Sequence, residues 1–358
     1  MKSRYENGYT KLGSEHMNIK ELAKEIGVSS ATISRVVNNS GYVSEKTRAK
    51  VLDAIDKYQY VPNAIARSLS TKSSKSIGVI VPDIENEYFS AVISGISNAA
   101  EGTGYSIHFM GTNENIESEH AFLETVGQQR LDGVIITPVS EYDTYTKEKL
   151  LKMRENKVPV VLVDRSLQGA NLEGVFVDNF AGAYDGVKAL IEAGHTKIAI
   201  ITGVETSRPG KERHRGYLEA MKDANIPVNP KYVLSGDFKI DKAYECTKKL
   251  LTMEDPPTAI FTSNNKTTLG CLKYMTENKI KLGKDLSVLG FDDIEVLNII
   301  RYKLSVVSRD AKLQGYKAME LLLKEMESNE IPKNPVSICI PYEVILRGSE
   351  KSKKLSTL

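Results

Sequence analysis

The chain has 358 residues, of which 41% are hydrophobic and 26% are charged, and a net charge of +2. This length exceeds one compact core, so we expect two or three domains of a globular protein. No apolar run approaches the roughly 20 residues of a membrane-spanning helix, and the N-terminus lacks a signal peptide's apolar core, so we expect a cytoplasmic protein. The three cysteines show no metal-ligand spacing and are expected to be reduced and mostly buried: Cys246, Cys271 and Cys339.

Positive charge is concentrated near the N-terminus. Residues 17–75 contain ten Lys or Arg and five Asp or Glu, a net charge of +5, whereas residues 1–16 carry +1 and residues 76–358 carry −4. Such a concentration is typical of a segment that contacts DNA phosphates. Residues 1–16 show no periodicity and are either a disordered arm or a start assigned too early, and residues 351–358 form a tail.

Residues 17–61 have the periodicity of three short helices. Gly27 ends the first helix, and Ser29 and Ser44 are typical N-cap residues for the other two. The first two helices fit either a DNA-reading helix-turn-helix or a plain helical hairpin, and the third helix favours a DNA-binding head. The apolar positions that predict a common core are Ile19, Leu22, Ala23, Ile26, Ile33, Val36, Val37, Val51, Leu52, Ile55 and Tyr58.

The second of these helices carries small and polar residues on the side away from the predicted core. Side chains of this kind can contact phosphates and the edges of bases in the major groove. The candidate DNA-binding residues are Ser29, Ser30, Ala31, Thr32, Ser34, Arg35 and Asn38. A short helix opened by Pro62 and a run of Ser, Thr and Lys follow, so we expect a hinge and linker at residues 62–75.

From Ser76 onward, short apolar runs alternate with helix-like stretches. This pattern is typical of parallel strands buried on both faces. About a dozen such units are too many for one sheet, so the sequence predicts two doubly wound lobes. Ligands of open parallel sheets lie beyond the carboxyl ends of the strands, which places the expected site in the cleft between the lobes.

Side chains suited to a sugar follow several of these runs. Aromatic rings can stack on a pyranose, and Asp, Asn and Arg can hydrogen-bond its hydroxyls. A structural role stays open for each, such as Asp164 capping a turn or Phe89 packing inside a lobe. The candidate effector-binding residues are Asp83, Asn86, Phe89, Asp164, Arg165, Arg213, Phe238, Asn264, Asp292 and Ser308.

Three motifs occur in order along the chain: Val28-Ser-x-x-Thr-x-Ser-Arg-Val-Val-Asn38, Tyr60-x-Pro-Asn-x-x-Ala-Arg-Ser-Leu69 and Gly290-Phe-Asp-Asp293. Together they resemble the motifs of the lactose-repressor (LacI/GalR) family of bacterial transcription regulators. The resemblance extends from residue 17 to about residue 350. It implies an all-α helix-turn-helix head and an α/β periplasmic-binding-protein-like effector domain at residues 76–350.

The resemblance also implies how the lobes and the hinge are built. One lobe would comprise residues from about 76 to 176 and 308 to 329, and the other residues from about 177 to 307 and 330 to 348, with three chain crossings. A homodimer would bind a pseudo-palindromic operator. In the hinge, the resemblance places three residues on the DNA, with Leu69 as a wedge in the central minor-groove step: Asn63, Ala66 and Leu69.

Two segments depart from the family's pattern. Asn264-Asn-Lys-Thr-Thr-Leu-Gly270 stands where the family has Asn-Asp-x-Met-Ala-x-Gly, and Ser308-Arg309 replaces the usual Gln-Pro. A Gln that typically hydrogen-bonds ligand is therefore missing, which argues against a ribose-like or purine effector. Arg309 is compatible with a sugar acid or phosphosugar, and it can equally turn away and pair with Asp310.

Two other functions fit the same fold class. Against an enzyme, the histidines show no His-x-x-x-His spacing, no Gly-x-Ser-x-Gly or P-loop occurs, and adjacent Asp292 and Asp293 are expected to bind ligand and to cap a loop. We therefore expect no catalysis, cofactor or metal, and the DNA head argues against a transport protein. The sequence predicts a sugar-responsive repressor, with a catabolite-control regulator that binds a phosphocarrier protein as the alternative.

Overall fold

The computed structural model describes residues 17–60, 73–328 and 334–351. The chain divides between Ser74 and Lys75 into two compact units. The three predicted hinge contacts, Asn63, Ala66 and Leu69, lie outside the described residues. Within the described ranges, no helix combines the length and the apolar character that crossing a membrane requires.

The first unit contains three helices, as the sequence predicts: α1 (Ile19–Ile26), α2 (Ser30–Val37) and α3 (Glu45–Lys57). Asn18 and Glu21 form a capping box at the start of α1, and Gly27 ends it with φ +62°, a conformation that glycine adopts at little cost. Ser29 and Ser44 cap α2 and α3 through hydrogen bonds from the backbone N–H three residues ahead. Gly27 and Ser29 together fix the turn between α1 and α2.

Apolar side chains of the three helices form one small core. The sequence predicts Leu52 in this core, but its side chain is 51% exposed, because α3 turns Val51 and Ala54 inward instead. The buried residues of the core are Leu22, Ala23, Ile26, Ile33, Val36, Val51, Ala54 and Tyr60.

The second unit alternates strands and helices. Its described strands are β1 (Ser76–Val81), β2 (Ser106–Gly111), β3 (Gly133–Ile136), β4 (Val160–Val163), β5 (Glu173–Val177), β6 (Ile198–Thr202), β7 (Val233–Ser235), β8 (Ala259–Thr262), β9 (Ser287–Phe291), β10 (Ser305–Arg309), β11 (Ser337–Ile340) and β12 (Tyr342–Ile345). Its described α-helices are α4 (Glu87–Ala100), α5 (Ile116–Gln129), α6 (Thr144–Glu155), α7 (Asn179–Glu192), α8 (Arg208–Asp223), α9 (Ile240–Leu251), α10 (Asn265–Glu277), α11 (Glu295–Ile299) and α12 (Ala311–Ser328).

The strands form two six-stranded sheets, one in each lobe. The first has the order β11-β5-β4-β3-β1-β2 and the second β12-β10-β9-β8-β6-β7, and all pairs are parallel except β10 with β12. Helices α4 and α12 cover one face of the first sheet, and α5 and α6 cover the other. In the second lobe, one face of the sheet is covered by α7 and α8, and the other face is covered by α9 and α10. The predicted pair of doubly wound lobes is confirmed.

The chain passes between the lobes three times, after β5, β10 and β11. One lobe boundary predicted from the sequence, near residue 330, is wrong, and the boundary near residue 308 lies within two residues of the observed crossing. Residues 337–340 belong to the first lobe, because β11 pairs with β5, and only β12 joins the second sheet. Ser308 belongs to the second lobe, because β10 continues to Arg309 before the chain crosses.

The cysteines only partly follow the expectation of buried thiols. Cys271 is buried in α10, whereas Cys339 is exposed on β11 at the edge of the first sheet. Cys246 is half-buried. All three are free thiols.

Candidate functional sites

Helix α2 presents a polar surface opposite its buried Ile33 and Val36. Ala31 and Arg35 are exposed on this surface, as the outward face of a reading helix requires. Four of the candidate DNA contacts also bond to one another. The hydroxyls of Ser29 and Thr32 lie 2.8 Å apart, and the amide of Asn38 donates to the hydroxyl of Ser34 at 3.2 Å; Ser30 is half-buried.

A cavity of about 30 Å³ lies between the two lobes. The carboxyl ends of the central strands of both sheets point their following residues into it, as the topology predicts. Eight of the ten candidate effector-binding residues line it: Asn86, Phe89, Asp164, Arg165, Arg213, Phe238, Asn264 and Asp292. Four further residues complete its walls: Tyr88, Glu114, Pro209 and Arg309.

Two candidates lie elsewhere. Asp83 lines a neighbouring cleft of about 420 Å³ and forms an ion pair with Lys266 of the other lobe. Ser308 lies inside β10, where it pairs with Glu343 of β12, and does not line the interlobe cavity. The neighbouring residue Arg309 does line the cavity, whereas Ser308 does not.

Arg309 joins the two lobes at the centre of this site. Its Nε donates to Asp292 Oδ1 at 2.7 Å, and its Nη1 donates to Asp164 Oδ1 at 2.5 Å. The guanidinium carbon lies 3.7 Å from the centroid of the Tyr88 ring. Asp310 does not take this guanidinium, because its carboxylate accepts the backbone N–H of Leu313 at the start of α12.

The charges around the cavity shift the pKa values of Asp164 and Arg309. Burial alone would raise the pKa of Asp164, but the positive charges of Arg309, Arg213 and Arg165 outweigh it and hold that pKa below its ordinary value. Burial opposes the charge of Arg309, yet Asp292 and Asp164 raise its pKa above the ordinary value. Asp164 and the Arg309 guanidinium are therefore ionised at neutral pH.

Arg213 is a buried cation with no carboxylate at hydrogen-bonding distance in the part of the chain that the structure describes. On α8, its Nε donates to Asn179 Oδ1 at 2.9 Å and its Nη1 to the Ser263 carbonyl at 2.5 Å, both neutral acceptors. Among the described residues, its Nη2 has no hydrogen-bond partner. Burial and the like charge of Arg309 lower the pKa of Arg213 to about 10. The Nη2 amino group of Arg213 is thus left for an acceptor that a ligand could provide, as is the Nε–H of Arg165, which also has no hydrogen-bond partner among the described residues.

Arg165 is neutralised within its own lobe. Its two terminal nitrogens donate to the two carboxylate oxygens of Glu114 at 2.8 and 2.6 Å. Such a two-fold pair fixes the plane of the guanidinium. The Arg165 guanidinium carbon lies 6.0 Å from the ring centroid of Phe238, which belongs to the other lobe.

The residues after β8 that depart from the family pattern, Asn265, Thr267 and Thr268, have structural roles here. Asn264 caps α10 together with Thr267, and the hydroxyl of Thr268 bonds to that of Thr262 at 2.6 Å. Asn265 donates across the cleft to Asn86 Oδ1 at 2.7 Å. The substitutions after β8 therefore stabilise the start of α10 and hold the lobes together.

Further contacts close the lobes around the cavity. Lys211 bonds to Glu141 at 2.6 Å, and the Glu141 backbone N–H donates to the carbonyl of Thr206 at 2.9 Å. Arg208 donates to the hydroxyl of Ser166 at 3.0 Å. The lobes are closed in this structure.

Four wall residues are not among the ten candidate effector-binding residues: Tyr88, Glu114, Pro209 and Arg309. Glu114 follows β2, so the rule that ligands lie beyond strand ends could have indicated it. Tyr88 follows the first strand beside Asn86 and Phe89, where the sequence indicates side chains suited to a sugar. Its ring packs in the first lobe, while its hydroxyl lies 2.9 Å from Asp164 Oδ1. Arg309 departs from the family's motif, but the sequence around it does not show that it pairs with Asp164 and Asp292 rather than with Asp310.

Comparison with known proteins places the chain in a family. Residues 18–63 match the model of "Bacterial regulatory proteins, lacI family", and residues 187–350 match "Periplasmic binding protein-like domain". The chain is 34% identical over 335 residues to the HTH-type transcriptional repressor PurR of Haemophilus influenzae (strain PittEE), covering 93% of this chain and 98% of that protein. The chain belongs to the LacI family.

Solved structures agree with this assignment. The LacI-family chain is similar to the Lac repressor dimer bound to operator and the anti-inducer ONPF, with a TM-score of 0.80, 25% identity and coverage of 93% of this chain and 99% of that one. It is also similar to the transcription regulator CcpA of Lactococcus lactis, with a TM-score of 0.68, 26% identity and coverage of 76% and 98%.

Proposed function

We propose that this LacI-family chain is a transcriptional repressor that binds a pseudo-palindromic operator as a homodimer and is controlled by a sugar or sugar derivative between its lobes. The observation that carries the proposal is the set of Asp, Asn, Arg and Phe side chains that converges from both lobes on one cavity. The regulators to which it is similar, a repressor and an operator-bound repressor dimer, support the DNA-binding part.

The chemistry of the cavity supports a polyhydroxyl ligand. Carboxylates and amides accept and donate to hydroxyls, and Phe89 and Phe238 offer ring faces to the apolar side of a sugar. The Nη2 amino group of Arg213 provides a charged donor for a ligand oxygen. The relatives are named as regulators rather than enzymes, and we propose no catalytic role for Asp292 and Asp293.

Operator binding is tested first with the full-length protein. A random DNA pool is enriched on the protein, and the selected sequences are examined for two-fold symmetry. A selected site without inverted symmetry, or no enrichment at all, contradicts the proposal. The same operator is then used to measure release or tightening by D-glucose, D-galactose, gluconate and glucose 6-phosphate.

The catabolite-control alternative has one observation in its favour. The closed cleft leaves a cavity of about 30 Å³, which is room for about one water molecule rather than a sugar, and pockets for small ligands are usually about 300 Å³ or larger. A regulator whose partner is a phosphocarrier protein needs no such room. The melting temperature separates the two functions: the sugar panel raises it under the first, and only the phosphocarrier protein raises it under the second.

A further inference from the structure

Arg309 takes up the space between two carboxylates that face each other across the cleft. Asp164 belongs to the first lobe and Asp292 to the second, and the Arg309 side chain is 3% exposed. One planar guanidinium thus donates to both lobes at once, while the cavity beside it has a volume of only about 30 Å³.

Neighbouring aromatic side chains hold this guanidinium in place. Tyr88 supports its face, with the guanidinium carbon 3.7 Å from the ring centroid, and the Tyr88 hydroxyl lies 2.9 Å from Asp164 Oδ1. The second aromatic ring, Phe291, has its centroid 5.6 Å away. Stacking and two ion pairs together restrain a long side chain that would otherwise be free to leave the cleft.

We propose that Arg309 is an internal substitute for the effector, which holds the two lobes closed when no small molecule is bound. A ligand in a two-lobed cleft closes it by bonding to both lobes, and Arg309 already makes such bonds to Asp164 and Asp292. The chain therefore rests in the closed state, and its regulation starts from closure rather than from an open cleft.

The inference rests on the proposed function, because it concerns regulation of the same cleft. Its test uses neither DNA nor effector, so a failure of the operator or sugar experiments is distinguishable from a failure here.

The backbone N–H of Glu141 reports closure directly. It donates at 2.9 Å to the carbonyl of Thr206, which lies in the other lobe. When the lobes open, this hydrogen bond is lost and the amide exchanges with solvent. Hydrogen–deuterium exchange of the ligand-free, full-length protein, read by mass spectrometry on a peptide that contains Glu141, measures how often this happens.

We expect Arg309→Gln to speed exchange at Glu141 by at least about tenfold, because a neutral amide cannot hold two carboxylates. The matched control is Arg347→Gln. Arg347 forms a two-fold ion pair with Asp293 inside the second lobe, at 3.1 and 2.7 Å, so its loss removes a comparable pair without a bond across the cleft. Exchange at Glu141 in this control should match that of the wild type.

Protection of strands β3 and β8 in the same data shows whether each variant is folded. If Arg309→Gln loses that protection, Arg309→Lys is measured under the same criteria, since it keeps one charge but lacks the planar fork that reaches both carboxylates. Equal exchange at Glu141 in the wild type and in the folded Arg309 variant overturns the inference. An equal acceleration in Arg347→Gln overturns it as well.

Discussion

Replacing both carboxylates that bind Arg309 should lower the free energy of unfolding by more than the sum of the two single replacements. Asp164→Asn or Asp292→Asn alone leaves the guanidinium one counter-charge and an amide oxygen as acceptor. Each should lower the free energy of unfolding by about 1.5–3 kcal/mol, the usual worth of a hydrogen bond to a charged group. The double replacement leaves a buried cation with no carboxylate in contact, so we expect an additional loss of about 1–3 kcal/mol.

The assay is urea unfolding of the full-length protein followed by circular dichroism, at one protein concentration for all variants. Asp293→Asn combined with Asp164→Asn is the matched control, because Asp293 pairs with Arg347 and shares no partner with Asp164. These two losses should add within about 0.5 kcal/mol. An additive result for Asp164 and Asp292 would show that Arg309 does not link them, and the reasoning about the site would be wrong.

Three further predictions concern other parts of the chain. Arg35→Ala should weaken operator binding by about 1–3 kcal/mol in a gel-shift titration if Arg35 contacts guanine, whereas Lys57→Ala, outside α2, should cost much less; an unchanged affinity would mean that α2 is not the reading helix. Leu69→Ala should reduce DNA bending in a circular-permutation assay and lower operator affinity far more than random-DNA affinity; equal losses would exclude a wedge. Burial and the Glu173 carboxylate raise the pKa of Glu325 from 4.5 to about 7, so stability held by the neutral carboxyl is present below about pH 4.5 and lost as pH rises through about 7. Glu325→Gln should therefore raise the melting temperature at about pH 8 and change it little near pH 4, and the reverse pattern would contradict the assignment.

The periodicity of the sequence was sufficient to predict both units of the fold. Apolar spacing at helical intervals with Ser caps marked the head, and alternating buried runs marked the strands. What it could not decide was which short runs pair with which. Strands β11 and β12 are separated by one residue, yet they join different sheets, and only their partners β5 and β10 distinguish them.

The candidate site was predictable to the extent that it follows strand ends. Residues one or two positions after β4, β8 and β9 line the cavity because parallel strands end at one edge of each sheet. The ion pairs were not predictable in the same way. Arg309 pairs with Asp164, which lies 145 positions earlier, and Asp83 pairs with Lys266, 183 positions later. The sequence offers the nearer partner Asp310, but its carboxylate accepts the backbone N–H of Leu313 at the start of α12, and Arg309 reaches Asp164 only because the lobes are closed.

The two carboxylates of the cleft occupy equivalent places in the two lobes. Asp164 follows β4 with φ +65°, and its N–H donates to Val175 of the next strand, while Asp292 follows β9 with φ +71° and donates to Val307 in the same way. Because the lobes repeat one topology and face each other at their strand ends, closing the cleft brings two like charges together. Like charges brought out of water oppose closure unless a shared donor lies between them. In this chain Arg309 is that donor, so any effector that replaces it must itself donate to both lobes.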